Sequence, residues 1–138
     1  MIKLTNVNKI FDGRKVLNNV SLTFPRYGLV IINGPSGCGK TTLLNILSTL
    51  LEASGEISFE GRPYHRLSED DKEMIRSCSI GFLFQDYKLF EFETVKANIA
   101  LSLDISCGDT KRKKDKRISD LLRLVNLSHK ENQYEQWR

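Results

Sequence analysis

Gly34-Pro35-Ser36-Gly37-Cys38-Gly39-Lys40-Thr41 fits the pattern G-x-x-x-x-G-K-[ST] at every fixed position. Its flanks decide how the pattern folds. Leu29-Val30-Ile31-Ile32 ahead of it is apolar throughout and largely β-branched, which predicts a strand buried on both faces. Behind it, Leu43, Leu44, Ile46, Leu47, Leu50 and Leu51 recur at helical spacing. A strand, a glycine loop and a helix in that order form a cradle for phosphate. Glycines let backbone N–H groups crowd around phosphate oxygens where a Cβ would collide, and the helix N-terminus adds partial positive charge. Lys40 then reaches the β- and γ-phosphates, and Thr41 offers its hydroxyl to Mg²⁺. The candidate phosphate site is therefore Gly34, Pro35, Ser36, Gly37, Cys38, Gly39, Lys40, Thr41 and Thr42.

Around this loop, 138 residues allow one domain with a core of its own. No apolar run approaches the roughly 20 residues a membrane-spanning helix needs, and the polar start from Met1 to Asn6 lacks the apolar stretch of a secretory signal. A cytosolic chain is expected. Cys38, Cys78 and Cys107 form no C-x-x-C pair and have no histidine cluster nearby, so free thiols are expected rather than a disulfide framework or a zinc site. The net charge is +4, and much of it lies in Lys111-Arg112-Lys113-Lys114-Asp115-Lys116-Arg117. No aromatic residue interrupts that run, which predicts a solvated helix end and no nucleic-acid partner.

Alternation of Ile2 with Leu4, and of Val20 with Leu22 and Phe24, predicts strands before the loop, with Asp12-Gly13 as a turn between them. Downstream, Ile57 and Phe59 alternate as a short strand that ends at Gly61-Arg62-Pro63. Ser68 and Asp71 resemble a capping box and predict a helix to about Arg76. Ile80 to Phe84 reads as a second buried strand, ending at Gln85. Thr94 can cap a helix carrying Val95, Ile99 and Leu103, and Ile118, Leu121, Leu122 and Val125 make one apolar stripe on a last helix.

Taken together these motifs resemble the front half of the ATP-binding subunit of an ABC transporter, over nearly the whole chain. Gly55-Glu56-Ile57-Ser58-Phe59-Glu60-Gly61 is similar to that family's strand and turn after the loop helix, and Ile80 to Asp86 to its Q-loop segment. The wording from Phe82 to Leu101, with Leu89-Phe90, Thr94-Val95 and Asn98-Ile99, looks most like the exporter branch for macrolides, lipoproteins or bacteriocin-like peptides. The resemblance implies an α/β P-loop NTPase fold with an N-terminal antiparallel β-subdomain. It also implies ATP and Mg²⁺ as ligands. Phe11 would stack on adenine, Gln85 would touch Mg²⁺ and the attacking water, and Lys40 and Gln85 would serve catalysis. The implied partners are a membrane-spanning permease and a second nucleotide-binding subunit, which would hold the chain at the inner face of the cell membrane.

The resemblance also makes absences informative. No apolar run leads into an Asp-Glu pair, as the family's Walker B strand does, and neither Leu-Ser-Gly-Gly-Gln nor the switch histidine is found. The expectation is therefore residues 1–138 as the N-terminal portion of one nucleotide-binding domain, truncated before the signature motif. Two alternatives stand beside an exporter ATPase. One is an inactive fragment that binds nucleotide or a partner without turnover. The other is a small P-loop kinase, although such kinases usually open directly on the loop-bearing strand and this chain spends over thirty residues before its loop.

Overall fold

Asp12 and Gly13 take φ of 47° and 77°, the primed turn geometry whose twist matches that of the strands it joins. The turn closes a hairpin between β1 (Ile2–Phe11) and β2 (Arg14–Phe24), with Phe11 opposite Arg14 and Ile2 opposite Phe24. These are features of a computed structural model that describes residues 1–84, 88–105 and 111–134. Contacts divide the chain into two units, Met1–Ile80 and Gly81–Arg138.

In the first unit, β3 (Ser54–Phe59) takes the other edge of β1 and β4 (Arg62–Pro63) pairs with β3, so the antiparallel order is β2-β1-β3-β4. Simple alternation does not account for the buried pair Leu4 and Val7, which are three residues apart. A register shift lies between them, with Asn6 at φ 53°, and an irregularity of this kind turns both side chains to one face. Helix α1 (Lys40–Leu47) lays Leu43, Ile46 and Leu47 on that face beside Leu17 and Ile57. Full burial of a side chain such as Ile46 is worth about 1.5–3 kcal/mol.

The helix is shorter than the leucine spacing predicts. It ends at Leu47, Ser48 is the cap and Thr49 takes φ 61°, so Leu50 lies beyond it and is exposed while Leu51 packs partly on the core. Leu44 is exposed as well. Helix α2 (Glu69–Cys78) starts on the expected box: Ser68 Oγ accepts from the Asp71 N–H at 3.1 Å, and Asp71 Oδ2 accepts from the Ser68 N–H at 3.2 Å. Arg62 donates to Asp71 at 2.9 Å, and this bond, with those from Ser68, holds the carboxyl below its ordinary range.

Two predicted strands are not formed. Leu29–Ile32 pairs with no strand among the described residues, and Leu29 and Ile31 are 85% and 78% exposed. Ile80–Phe84 likewise carries no ladder, with Leu83 exposed. A strand buried on both faces needs hydrogen-bonding neighbours at its edges, and the antiparallel sheet is already satisfied without these segments.

Between β4 and α2, Tyr64 sits in a short 3-10 turn and donates its hydroxyl to Leu47 O at 2.6 Å, satisfying a carbonyl at the end of α1. Burial pushes its phenol up to about 12. The neutral form is the one favoured in the fold, so Tyr64 contributes stability fully below its ordinary pKa near 10. That contribution is lost as pH rises from about 10 to about 12. An ultraviolet titration should show one phenol ionising late, and Tyr64→Phe should remove that step.

In the second unit, α3 (Val95–Ile105) and α4 (Lys111–Leu124) form a pair. Thr94 Oγ1 accepts from the Ala97 N–H at 3.2 Å, as its capping role predicts. The next donors go to carbonyls: Val95 N–H to Gln133 O at 3.0 Å and Lys96 N–H to Glu131 O at 2.9 Å. On α4, Ile118 and Leu122 are buried, whereas Leu121 and Val125 of the expected stripe are exposed. No described helix is long and apolar enough to cross a membrane.

Candidate functional site

Between Ile32 and α1 the chain makes an open loop whose shape depends on glycine. Gly37 and Gly39 take φ of 76° and 97°, a region that side chains rarely enter. Gly39 is also crowded: a Cβ there would lie 3.1 Å from Leu17 Cδ2 and Val16 Cγ1 and 3.2 Å from Val16 O. The β1–β2 hairpin thus presses on the point where the helix begins. Gly34, at φ 158°, stands at the margin of that region, and Cys38 Sγ would lie 2.7 Å from a Cβ built there.

The loop leaves its donors unused. Among the described residues, only two backbone N–H groups from Gly34 to Thr42 have an acceptor: Gly34 donates to Asn33 Oδ1 at 2.8 Å and Cys38 to Pro35 O at 3.4 Å. Those of Gly37, Gly39, Lys40 and Thr41 have none. Gly39 offers α1 no capping side chain, and the first turn contains no acid. A helix start with free donors and no internal anion attracts an external one. Lys40 adds a full charge: Nζ donates to Gly34 O and Pro35 O, both at 2.8 Å, and lies 3.7 Å from Cys38 Sγ. The ammonium therefore lies across the loop. This donor set fits a polyphosphate and its accompanying divalent cation, with the hydroxyl of exposed Thr41 one residue beyond.

Phe11 stands at the turn end of the hairpin, 42% exposed, with Lys9 Nζ 5.1 Å from its ring centroid. Val16 and Leu17, which touch Gly39, follow a few residues on in the paired strand. The same end of the hairpin thus carries an accessible aromatic ring and backs the loop. Gln85 lies outside the described residues. Cys38 is a free and exposed thiol, and Cys107 lies outside the described residues. Sequence reasoning missed Asn33, whose side chain holds the first loop amide; the signal was an Asn directly before the glycine. It also missed a cavity of about 220 Å³ lined by Thr49, Tyr64, His65 and Lys72 among others. That cavity contains no residue of 34–42 and is separate from the loop.

The loop and the sheet before it define a P-loop NTPase fold of the ATP-binding-cassette type with an N-terminal antiparallel sheet. The dimeric structure of MJ0796, a bacterial ABC transporter cassette, superposes with a TM-score of 0.84 at 32% identity, covering 97% of this chain and 61% of that one. cbiO1 from Clostridium perfringens, part of the ABC transporter complex cbiONQ, gives 0.79 at 25% identity over 96% of this chain and 53% of that one. The chain belongs to the ABC transporter family, whose model matches residues 17–136.

Among curated relatives, the sulfate/thiosulfate import ATP-binding protein CysA of Mannheimia succiniciproducens is 39% identical over 137 residues, 96% of this chain. The methionine import ATP-binding protein MetN of Rhizobium johnstonii is 40% identical over 135 residues, 97% of this chain. This chain spans 37% of the length of each. Both are named for import, so the exporter branch suggested by residues 82–101 finds no support in them.

Proposed function

We propose that this chain binds Mg-ATP as the front portion of one nucleotide-binding domain of an ABC transport ATPase. The observation that carries the reading is the cluster of unbonded N–H groups at Gly37, Gly39, Lys40 and Thr41 beneath the Lys40 ammonium. Backbone donors from Ser36 to Thr42 would hold the phosphate oxygens and Lys40 the β- and γ-phosphates. Thr41 and Gln85 would complete the Mg²⁺ shell, and Phe11 would stack on adenine. Mg²⁺, once bound, neutralises charge on the β/γ oxygens. A permease and a second nucleotide-binding subunit are the proposed partners, at the inner face of the membrane. On direction, the names of the relatives favour import and the wording of residues 82–101 favours export. Substrate uptake by inside-out and right-side-out vesicles carrying the assembled transporter decides between them.

Hydrolysis is assigned to the complete dimeric cassette. The 138 residues contain no Asp-Glu pair to order Mg²⁺ and the attacking water, and loss of one such element commonly costs orders of magnitude in rate. Purified chain should release phosphate only at background. Multiple turnover near 1 s⁻¹, the low end of ordinary enzyme rates, that disappears in Lys40→Ala would overturn this assignment.

Cys38 reports on the same loop. It is exposed and 3.7 Å from Lys40 Nζ, so a nucleotide seated in the loop should cover it. Mg-ATP is expected to slow its alkylation about tenfold or more at saturation, since modification then proceeds only through the ligand-free fraction. In Lys40→Ala the same nucleotide concentration should protect less. Equal labelling with and without Mg-ATP would contradict the seating.

A further inference from the structure

Helix α4 opens with Lys111-Arg112-Lys113-Lys114-Asp115-Lys116-Arg117. The acid in this run is engaged by a cation outside the run. Asp115 accepts from Lys96 of α3 at 3.3 Å, and Lys96 also holds Glu131 at 2.9 Å. The next acid, Asp120, faces Arg123 at 3.4 Å. Lys111, Arg112, Lys116 and Arg117 are exposed, and among the described residues no carboxylate pairs with them. Ile118 and Leu122 are buried, whereas Arg112 and Lys116, at i and i+4, share one exposed side of the helix. The helix itself gains nothing from this arrangement, because its dipole disfavours cations in the first turn and like charges repel. An external polyanion removes both penalties.

We propose that the basic face of α4 docks on the anionic headgroups of a lipid bilayer. Three observations favour a bilayer over nucleic acid. No aromatic residue lies on α4 to stack a base. Leu124 and Val125, at its end, are exposed and can enter the interfacial layer. The transporter reading, on which the choice of partner rests, brings the chain beside a membrane. Contact with lipid would add to attachment through a permease, and each Lys or Arg near an anionic surface strengthens it by a factor of about five.

The test is cosedimentation of the whole chain with vesicles of phosphatidylglycerol and phosphatidylcholine, and with phosphatidylcholine alone, at about 0.1 M and about 0.5 M salt. Binding to the anionic vesicles alone, weakened at high salt, is expected. Arg112→Glu with Lys116→Glu should reduce it about tenfold or more. Lys116→Gln with Arg117→Gln should lower it less, and a circular dichroism spectrum checks that α4 persists in both. No binding, equal binding to neutral vesicles, or wild-type binding by folded Arg112→Glu/Lys116→Glu overturns the proposal. Displacement from the vesicles by single-stranded RNA at equal phosphate concentration also overturns it, in favour of a nucleic-acid surface. Nucleotide binding measured on the same samples separates the two readings: intact ATP binding without vesicle binding refutes only the lipid contact.

Discussion

Lys40→Ala is expected to weaken Mg-ATP binding at least tenfold. In the free chain the ammonium is held by Gly34 O and Pro35 O at 2.8 Å, so binding exchanges two neutral carbonyl acceptors for phosphate oxygens carrying charge. A hydrogen bond to a charged group contributes about 1.5–3 kcal/mol, and about 1.4 kcal/mol is a factor of ten in affinity. The alanine also leaves both carbonyls without this donor, yet they lie on an open loop where water replaces it, so the fold should be retained. Titration of wild type and variant with a fluorescent ATP analogue measures the difference. Superimposable curves would remove Lys40 from the phosphate site.

Gly55→Ala is expected to be the most damaging single methyl in the first unit. Gly55 takes φ 101°, and a Cβ there would lie 2.5 Å from Asn6 O and 2.8 Å from Val7 Cα. These are backbone atoms of β1 that cannot swing aside. They adjoin the register shift that seats Val7 in the core. Strained backbone costs about 1–3 kcal/mol by itself, and separating β3 from β1 to relieve the overlap adds to it, for an expected loss of about 2–4 kcal/mol. Gly61→Ala is the control, since its φ of 80° is comparable and nothing lies within 4 Å. Urea unfolding should place Gly55→Ala clearly below Gly61→Ala. Equal midpoints would mean that the β1–β3 approach is looser than described.

Local chemistry was the most legible part of this chain. Asp12-Gly13, the Ser68–Asp71 box, the Thr94 cap and the loop-to-helix junction at Lys40 each depend on a few neighbouring residues, and each is formed as those residues predict. What the pattern missed depends on partners far along the chain. Leu29–Ile32 has the composition of a buried strand, but composition states a preference and not the presence of neighbours, and none of the described strands pairs with it. Leu4 and Val7 show the converse. Their three-residue spacing obscures a strand whose bulge brings both to the core. The basic run of α4 was read as a solvated helix end; with Asp115 paired to Lys96 and Asp120 to Arg123, no carboxylate among the described residues pairs with Lys111, Arg112, Lys116 or Arg117.

The central claim is that the amides from Gly37 to Thr41 receive phosphate, and amide-resolved NMR of the nitrogen-15-labelled chain tests it most directly. Addition of Mg-ATP should move the signals of Gly37, Gly39, Lys40 and Thr41 most, since these N–H groups lack acceptors in the free chain. Amides already committed to the β1–β2 ladder should move little. AMP, which lacks the β- and γ-phosphates, should leave the loop signals nearly unchanged. Saturating Mg-ATP that shifts none of the four, in a sample whose sheet amides are well dispersed, would contradict the account.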